Sequence, residues 1–241
     1  MNVAFLLEDT PISMRVRLAM AQADALIARG HRARIVTKGA PVTWRSSRAE
    51  WIYVDEFREY DAREDIVVKG AAPMLIVDEE FYRDGAPREH EPLRVLLAGP
   101  AHEEQRGIDD GYGAVAHARW FHQKLDLIRV SPWAPSKDEP LDAVQEFHVA
   151  LNTAEMARLL RTCDISLSPT FTLMTAEAMA SGLTCLAKEE NESAVDFGER
   201  LIEALEMPDL REALRETGRR AADQWRSEVV VDSLEAWLRA R

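Results

Sequence analysis

The chain has 241 residues, 46% of them hydrophobic and 30% charged, with a formal net charge of -12. That length supports one large or two small domains, each with its own core, and the composition excludes a disordered or low-complexity chain. The acidic balance opposes nucleic acid as the main partner, because phosphate backbones require a basic footprint, and it opposes docking on anionic lipid through general charge. Cys163 and Cys185 form neither a metal-like cluster nor a disulfide framework, and they read as small buried hydrophobes in a reducing compartment. No apolar run nears the ~20 residues of a membrane span, and "MNVAFLLED" turns acidic too soon for a signal peptide. The expected setting is therefore cytoplasmic, without a transmembrane segment.

In chain order, "NVAFLLE" is a short continuous apolar run of the kind buried on both faces of a parallel sheet. Leu18, Ala21, Ala25 and Leu26 follow at helical spacing, Gly30 supplies a C-terminal stop, and "RARIVTKG" gives the next strand, so the opening reads β-α-β. "WIYVDEF", "DIVVKG" and "PMLIVD" predict further strands without long helices between them. The turn-rich "YRDGAPREHEPL" marks a domain boundary, giving expected segments 1–92, 93–226 and a C-terminal helix, 227–241.

The alternation then restarts with strand "LRVLLAG", a helix from about Asp109 to His122, strand "LDLIRVS", a Pro-rich loop and strand "EFHVAL". Asn152 and Glu155 predict a capping box ahead of Met156, Leu159 and Leu160. "DISLSP" predicts a strand, Thr175 to Ser181 a short helix and "LTCLA" a strand, and from about Ser193 the pattern is of helices with a charged outer face. Such alternation of helices with buried strands predicts an α/β chain of open parallel sheets, with ligands at the carboxyl ends of the strands.

Two strand-to-helix loops can hold a phosphate, because free N–H groups and the helix dipole converge there. In "AGPAHEEQRGIDDG", Gly99 ends a strand, Arg106 offers a guanidinium fork, Gly107 permits close approach and Asp109 or Asp110 caps the helix. In "SPTFTLMTAEAMASGL", Glu177 is placed in the first turn of a helix, either as a dipole-compensating acid or as a ligand group. His102 lies in the first of these loops, His148 reads as a satisfied core histidine and Asp9 as a turn or cap residue. Trp44, Trp51, Trp120, Trp133, Trp225 and Trp237 read as packing residues, and "KEENES" as a solvated loop. No metal-ligand cluster is visible.

Taken together, "RVLLAGPAHEEQRGIDDG", "EFHVALNTAEMARLLRTCDISLSP" and "AEAMASGLTCLA" resemble the nucleotide-sugar-binding half of family 4 glycosyltransferases, the retaining enzymes of the GT-B fold. "SMRVRLAMAQADALIARGHRARIVTKG" resembles that family's acceptor-side opening, and "PMLIVDEEFYRDG" the approach to its linker. The resemblance implies two Rossmann-like domains, the first reduced, and transfer of a hexose with retention from a nucleotide diphosphate sugar that serves as donor substrate; no cofactor is expected, and the lack of a visible ligand cluster predicts no required metal. It gives Arg106 the place of the basic residue on the donor diphosphate and Glu177 that of the acid on the ribose hydroxyls. Leu173 stands where main chain faces the phosphates, Val149 where main chain holds the base, and Arg15 and Arg17 fall on the acceptor side.

The chain also departs from the family pattern. Pro169 stands where the sugar-holding glutamate is expected, Thr170 and Thr172 replace glycines, Met14 and Arg15 replace the N-terminal glycine pair, and Pro100 replaces a second basic residue. These departures imply the alternative of a non-catalytic descendant that binds nucleotide or a partner chain. The small first domain leaves homo- or hetero-oligomerisation open.

Overall fold

The computed structural model describes residues 1–8, 14–39, 42, 45–83, 89–99, 107–121 and 123–241. They divide into two units, Met1–Glu79 with Asp223–Arg241, and Glu80–Ala222. The division falls at residue 79, ahead of the turn-rich passage, because the segment after it already bonds into the second unit. Tyr82 Oη donates to Ala222 O at 2.6 Å, and Ser181 Oγ donates to Phe81 O at 3.3 Å.

The first unit is a four-stranded parallel sheet of β1 (Asn2–Leu7), β2 (Arg32–Thr37), β3 (Glu50–Tyr53) and β4 (Ile66–Lys69), in the order β3-β2-β1-β4. Helix α1 (Met14–Ala28) covers it, and Gly30 follows that helix with φ 84°, the left-handed conformation expected of a glycine stop. The C-terminal helix α7 (Ser227–Arg239) buries Val230, Val231, Leu234 and Leu238 in the same core as Phe5, Met20 and Ile35. It thus completes the first unit from the far end of the chain.

"PMLIVD" is not a strand. Its apolar residues are buried, Ile76 and Val77 at 2% and 0% exposure, but their segment is held without a β-ladder. Gln22 of α1 donates to Ala72 O and Met74 O and accepts from Ala72 N, and Val77 N donates to Trp225 O. A short apolar run is selected by burial, and burial does not require strand pairing.

The second unit is a five-stranded parallel sheet of β5 (Leu93–Ala98), β6 (Leu125–Ser131), β7 (Glu146–Val149), β8 (Ile165–Ser168) and β9 (Thr184–Ala187), in the order β7-β6-β5-β8-β9. Its helices are α2 (Ile108–Trp120), α3 (Thr153–Leu160), α4 (Leu173–Ala180), α5 (Ala194–Glu206) and α6 (Pro208–Ala222). Side chains alternate across each strand, so Val95 and Leu97 enter one core with Ala114 and Val115 of α2 and Phe197 and Leu201 of α5. Asn152 caps α3 with Glu155 as its reciprocal partner, at 2.9 Å for each bond, as the spacing predicts.

Helix α6 departs from the expectation of a charged face turned to solvent, because Arg211 and Arg215 are buried. Arg211 makes a bidentate pair with Glu89 at 3.0 Å and donates to the carbonyls of Ala204 and Leu205. A buried guanidinium is tolerated when its N–H groups are satisfied in this way. The hydrogen bond from Arg211 holds the Glu89 carboxyl below its ordinary range. Both cysteines are free, and burial pushes each thiol up to about 12.

Candidate functional site

In the second unit the strand order reverses between β5 and β8, so the chains leaving these two strands turn to opposite faces of the sheet. The crevice at such a reversal, outside the carboxyl ends of the strands, is where helix N-termini converge on a ligand. The two loops singled out in the sequence are the ones that flank it. Gly99, with φ 138°, follows β5 and donates to Val130 O at 3.0 Å, and Gly107, with φ 62°, precedes α2. Arg106, His102 and Pro100 lie outside the described residues, as do Asp9, Trp44 and His122.

On the β8 side, Pro169 packs on the first turns of α2. A Cβ on Gly107 would lie 3.1 Å from Pro169 Cβ, and one on Gly111 would lie 3.3 Å from Pro169 Cγ and 2.5 Å from Leu97 Cδ1. Both glycines therefore make room for protein, and Gly107's approach is to the proline ring. Lys188, read from the sequence as part of a solvated loop, instead bridges β9 to this corner. Its Nζ lies 3.0 Å from Asp110 Oδ2 in the first turn of α2, and its N–H donates to Ser168 O at 3.0 Å.

Helix α4 begins at Leu173 after Thr172, whose N–H donates to Thr175 Oγ1 at 3.1 Å. The N–H groups of its first turn have no carbonyl partner within the helix, and Leu173 supplies the first of them. Glu177 is the fifth helical residue, so it lies beyond the first turn and is not a dipole-compensating first-turn acid. It is 1% exposed, a carboxylate buried on α4, the helix that follows β8.

At the other side of β5, Val149 ends β7 in register with Ser131 of β6. Ala150 follows with φ 53°, a left-handed conformation unusual for a residue with a side chain, and its N–H donates to Ser131 O at 2.9 Å. His148 is not a core histidine: it is partly exposed on the edge strand, with Nε2 3.1 Å from Glu146. The tryptophans are not uniformly packing residues either, because Trp120 is 80% and Trp133 45% exposed.

Sequence reasoning missed a buried polar cluster beside this site. Arg129 and Glu139 pair at 2.7 Å with side chains 0% and 1% exposed, and Tyr112 of α2 donates to the same carboxylate oxygen at 2.8 Å. Arg129 Nη1 also donates to Val130 O and to Leu97 O, and Ser136 N donates to Glu139 Oε2. Burial, reinforced by the bond to Glu139, pushes the Tyr112 hydroxyl well above its ordinary range, so it remains a protonated donor. The available signal was one arginine inside the apolar run "LDLIRVS", since a charge in a buried strand requires a partner.

In the first unit Arg15 lies at the corresponding reversal of strand order, between β1 and β4. Its Cδ would be 3.0 Å from a Cβ on Gly70, the residue after β4. Arg17 is half-buried one turn into α1. Among the described residues no group of three or more His, Cys, Asp or Glu could hold a metal, and no helix is long and apolar enough to cross a membrane.

No family model and no curated protein sequence matches the chain. Solved structures do match. WaaG, a glycosyltransferase involved in lipopolysaccharide biosynthesis, is 17% identical, with a TM-score of 0.67 over 92% of this chain and 95% of that one. A glycosyltransferase from Rickettsia africae is 10% identical, with a TM-score of 0.61 over 99% and 98%. An alpha-glucosyltransferase in complex with UDP and a 13-mer DNA is 9% identical, with a TM-score of 0.66 over 98% of each. At these identities the likeness concerns the fold. With its two parallel Rossmann-like sheets, the chain has the GT-B fold.

Proposed function

We propose that the chain binds a nucleoside diphosphate sugar in the Glu80–Ala222 unit and transfers its hexose, with retention, to an acceptor. The observation that carries this reading is the reversal of strand order between β5 and β8, with Gly99 and Gly107 on one side and α4 with Glu177 on the other. Glu177 is assigned to the ribose hydroxyls, the backbone at Leu173 and Arg106 to the diphosphate, and the main chain around Val149 to the base. Catalysis then consists of stabilising the departing diphosphate with the Arg106 guanidinium and the α4 N-terminus. Arg15 and Arg17 are assigned to the acceptor side, and no metal or cofactor enters the reading. The names of structural neighbours, which include glycosyltransferases and a UDP complex, agree with it. The net charge of -12 argues against nucleic acid as acceptor, although that UDP neighbour also holds DNA.

A second reading, a descendant that binds nucleotide or a partner chain without transfer, is favoured by Pro169. Its ring packs against α2 at the position where the resemblance places a sugar-holding acid, and it offers no hydrogen bond to a sugar hydroxyl. Calorimetric titration of Glu177→Ala and Glu177→Gln with nucleoside diphosphates tests the site shared by both readings. Loss of charged hydrogen bonds to the ribose is expected to cost about 1–3 kcal/mol of binding. Unchanged affinity in both folded variants would remove Glu177 from the site.

A further inference from the structure

We propose that the paired carboxyl ends of α2 and α5 form a docking surface for a cationic amphipathic segment of another protein, with Trp120 and Phe121 as its apolar anchor. The inference is independent of the nucleotide-binding reading above.

The surface follows from how these two helices meet. Each carries a glycine at the contact: a Cβ on Gly113 would lie 2.9 Å from Ala194 Cβ, and one on Gly198 would lie 2.9 Å from His117 Cβ. The two contacts advance together along both helices, so α2 and α5 run parallel and in step. Just past α2, Gln123 Nε2 donates to Glu206 Oε1, at the end of α5, at 2.6 Å. A helix that follows a strand of a parallel sheet runs back along it, so both ends lie at the amino-terminal edge, away from the crevice. There Trp120 is 80% exposed, and Phe121 and Met207, the residues that follow the two helices, are each 51% exposed. Large apolar side chains grouped at one edge, and rimmed by charge, are the mark of an interaction surface. Phe121 is held in place by its tilted packing on His117, with ring centroids 5.0 Å apart.

The charge around these residues states what covers them. Glu199, Glu203 and Glu206 recur at helical spacing on the exposed face of α5. His117 Nε2 lies 2.6 Å from Glu199, which sets this row beside α2. Among the described residues no arginine or lysine pairs with any of the three. The negative dipole ends of two parallel helices add to them at the same edge. On the other flank the Arg119 guanidinium is turned to the carbonyls of Ala143 and Leu125 and faces Asp126 and Asp142, while Lys124 is exposed at the rim. A second copy meeting this surface face to face would set one row of carboxylates against another, and an anionic bilayer would meet it with like charge. A cationic helix satisfies both features. Glu199 and Glu206 are about 10 Å apart along α5, so basic residues two turns apart on the partner pair with the row while its apolar side chains cover the aromatic rings.

The test titrates the whole chain with a synthetic amphipathic helix of about 14 leucines and lysines, with a leucine–glutamate helix of the same pattern as control. Saturable binding of the lysine peptide with a blue shift of tryptophan emission is expected, and no binding of the glutamate peptide. Trp120→Ala should weaken binding at least about tenfold and remove the blue shift. Glu203→Lys with Glu206→Lys should weaken it at least about tenfold as well, whereas Glu59→Lys with Glu64→Lys, the same change of charge on exposed residues of the first unit, should leave it within about twofold. All are surface substitutions, and circular dichroism should show unchanged folding. Unchanged affinity in Trp120→Ala, equal loss in the two charge-reversal variants, or no saturable binding of the lysine peptide would overturn the proposal. Self-association of the chain in sedimentation velocity that Trp120→Ala abolishes would assign the surface to a second copy, and Trp120-dependent binding to phosphatidylglycerol vesicles would assign it to lipid. Either result overturns the cationic partner.

Discussion

Glu139→Ala is expected to destabilise the Glu80–Ala222 unit by about 3–5 kcal/mol. The substitution leaves the guanidinium of Arg129, which is 0% exposed, without its carboxylate partner among the described residues, and it removes the acceptor of the Tyr112 hydroxyl and of Ser136 N. An unpaired charge held away from water costs far more than the pair contributes, so removing both partners should be milder than removing one. Glu139→Gln keeps an acceptor but not the charge and should fall between wild type and Glu139→Ala. The double variant Arg129→Leu with Glu139→Leu should recover much of the loss. Urea unfolding followed by circular dichroism reads these effects as shifts in midpoint at constant slope. A shift below about 1 kcal/mol for Glu139→Ala would mean that the pair is not desolvated as described.

Asp164→Ala is the second large effect, expected at about 2–4 kcal/mol from lost charged hydrogen bonds and stranded donors. The carboxylate is fully buried at the start of β8 and accepts from Arg94 N at 2.8 Å and from His90 N at 3.3 Å, with His90 Nδ1 at 3.0 Å. It ties the entry of β5 to β8, the two strands whose far ends form the crevice. Asp164→Asn retains one acceptor oxygen and should lose less than Asp164→Ala. Equal losses for the two would show that volume, and not hydrogen bonding, sets the cost.

The parallel sheets were legible because their strands are short apolar runs punctuated by helical periodicity, glycine stops and the Asn152–Glu155 cap, all local signals. "PMLIVD" misled because burial alone selects apolar residues, and here hydrogen bonds to Gln22 replace a ladder. The inward face of α6 was hidden because the carboxylate that pairs with Arg211, that of Glu89, is distant in sequence. The same holds for Arg129, Glu139 and Tyr112, three residues on different elements that only the fold brings together. Within the candidate site, the two loops were readable as strand-to-helix junctions. The role of Pro169 against Gly107 and Gly111, and the partial exposure of Trp133, depend on packing that no spacing encodes.

The central claim, that the second unit is a nucleotide-sugar site, is tested most directly by calorimetric titration of the whole chain with UDP, GDP and ADP and their hexose conjugates. Saturable binding with a Kd below about 1 mM, more than about 4 kcal/mol of affinity, is the predicted result for at least one nucleotide, with the matching sugar conjugate consumed in the presence of an acceptor. Binding without consumption would select the non-transferring descendant. No saturable heat with any of these nucleotides or conjugates would contradict the account.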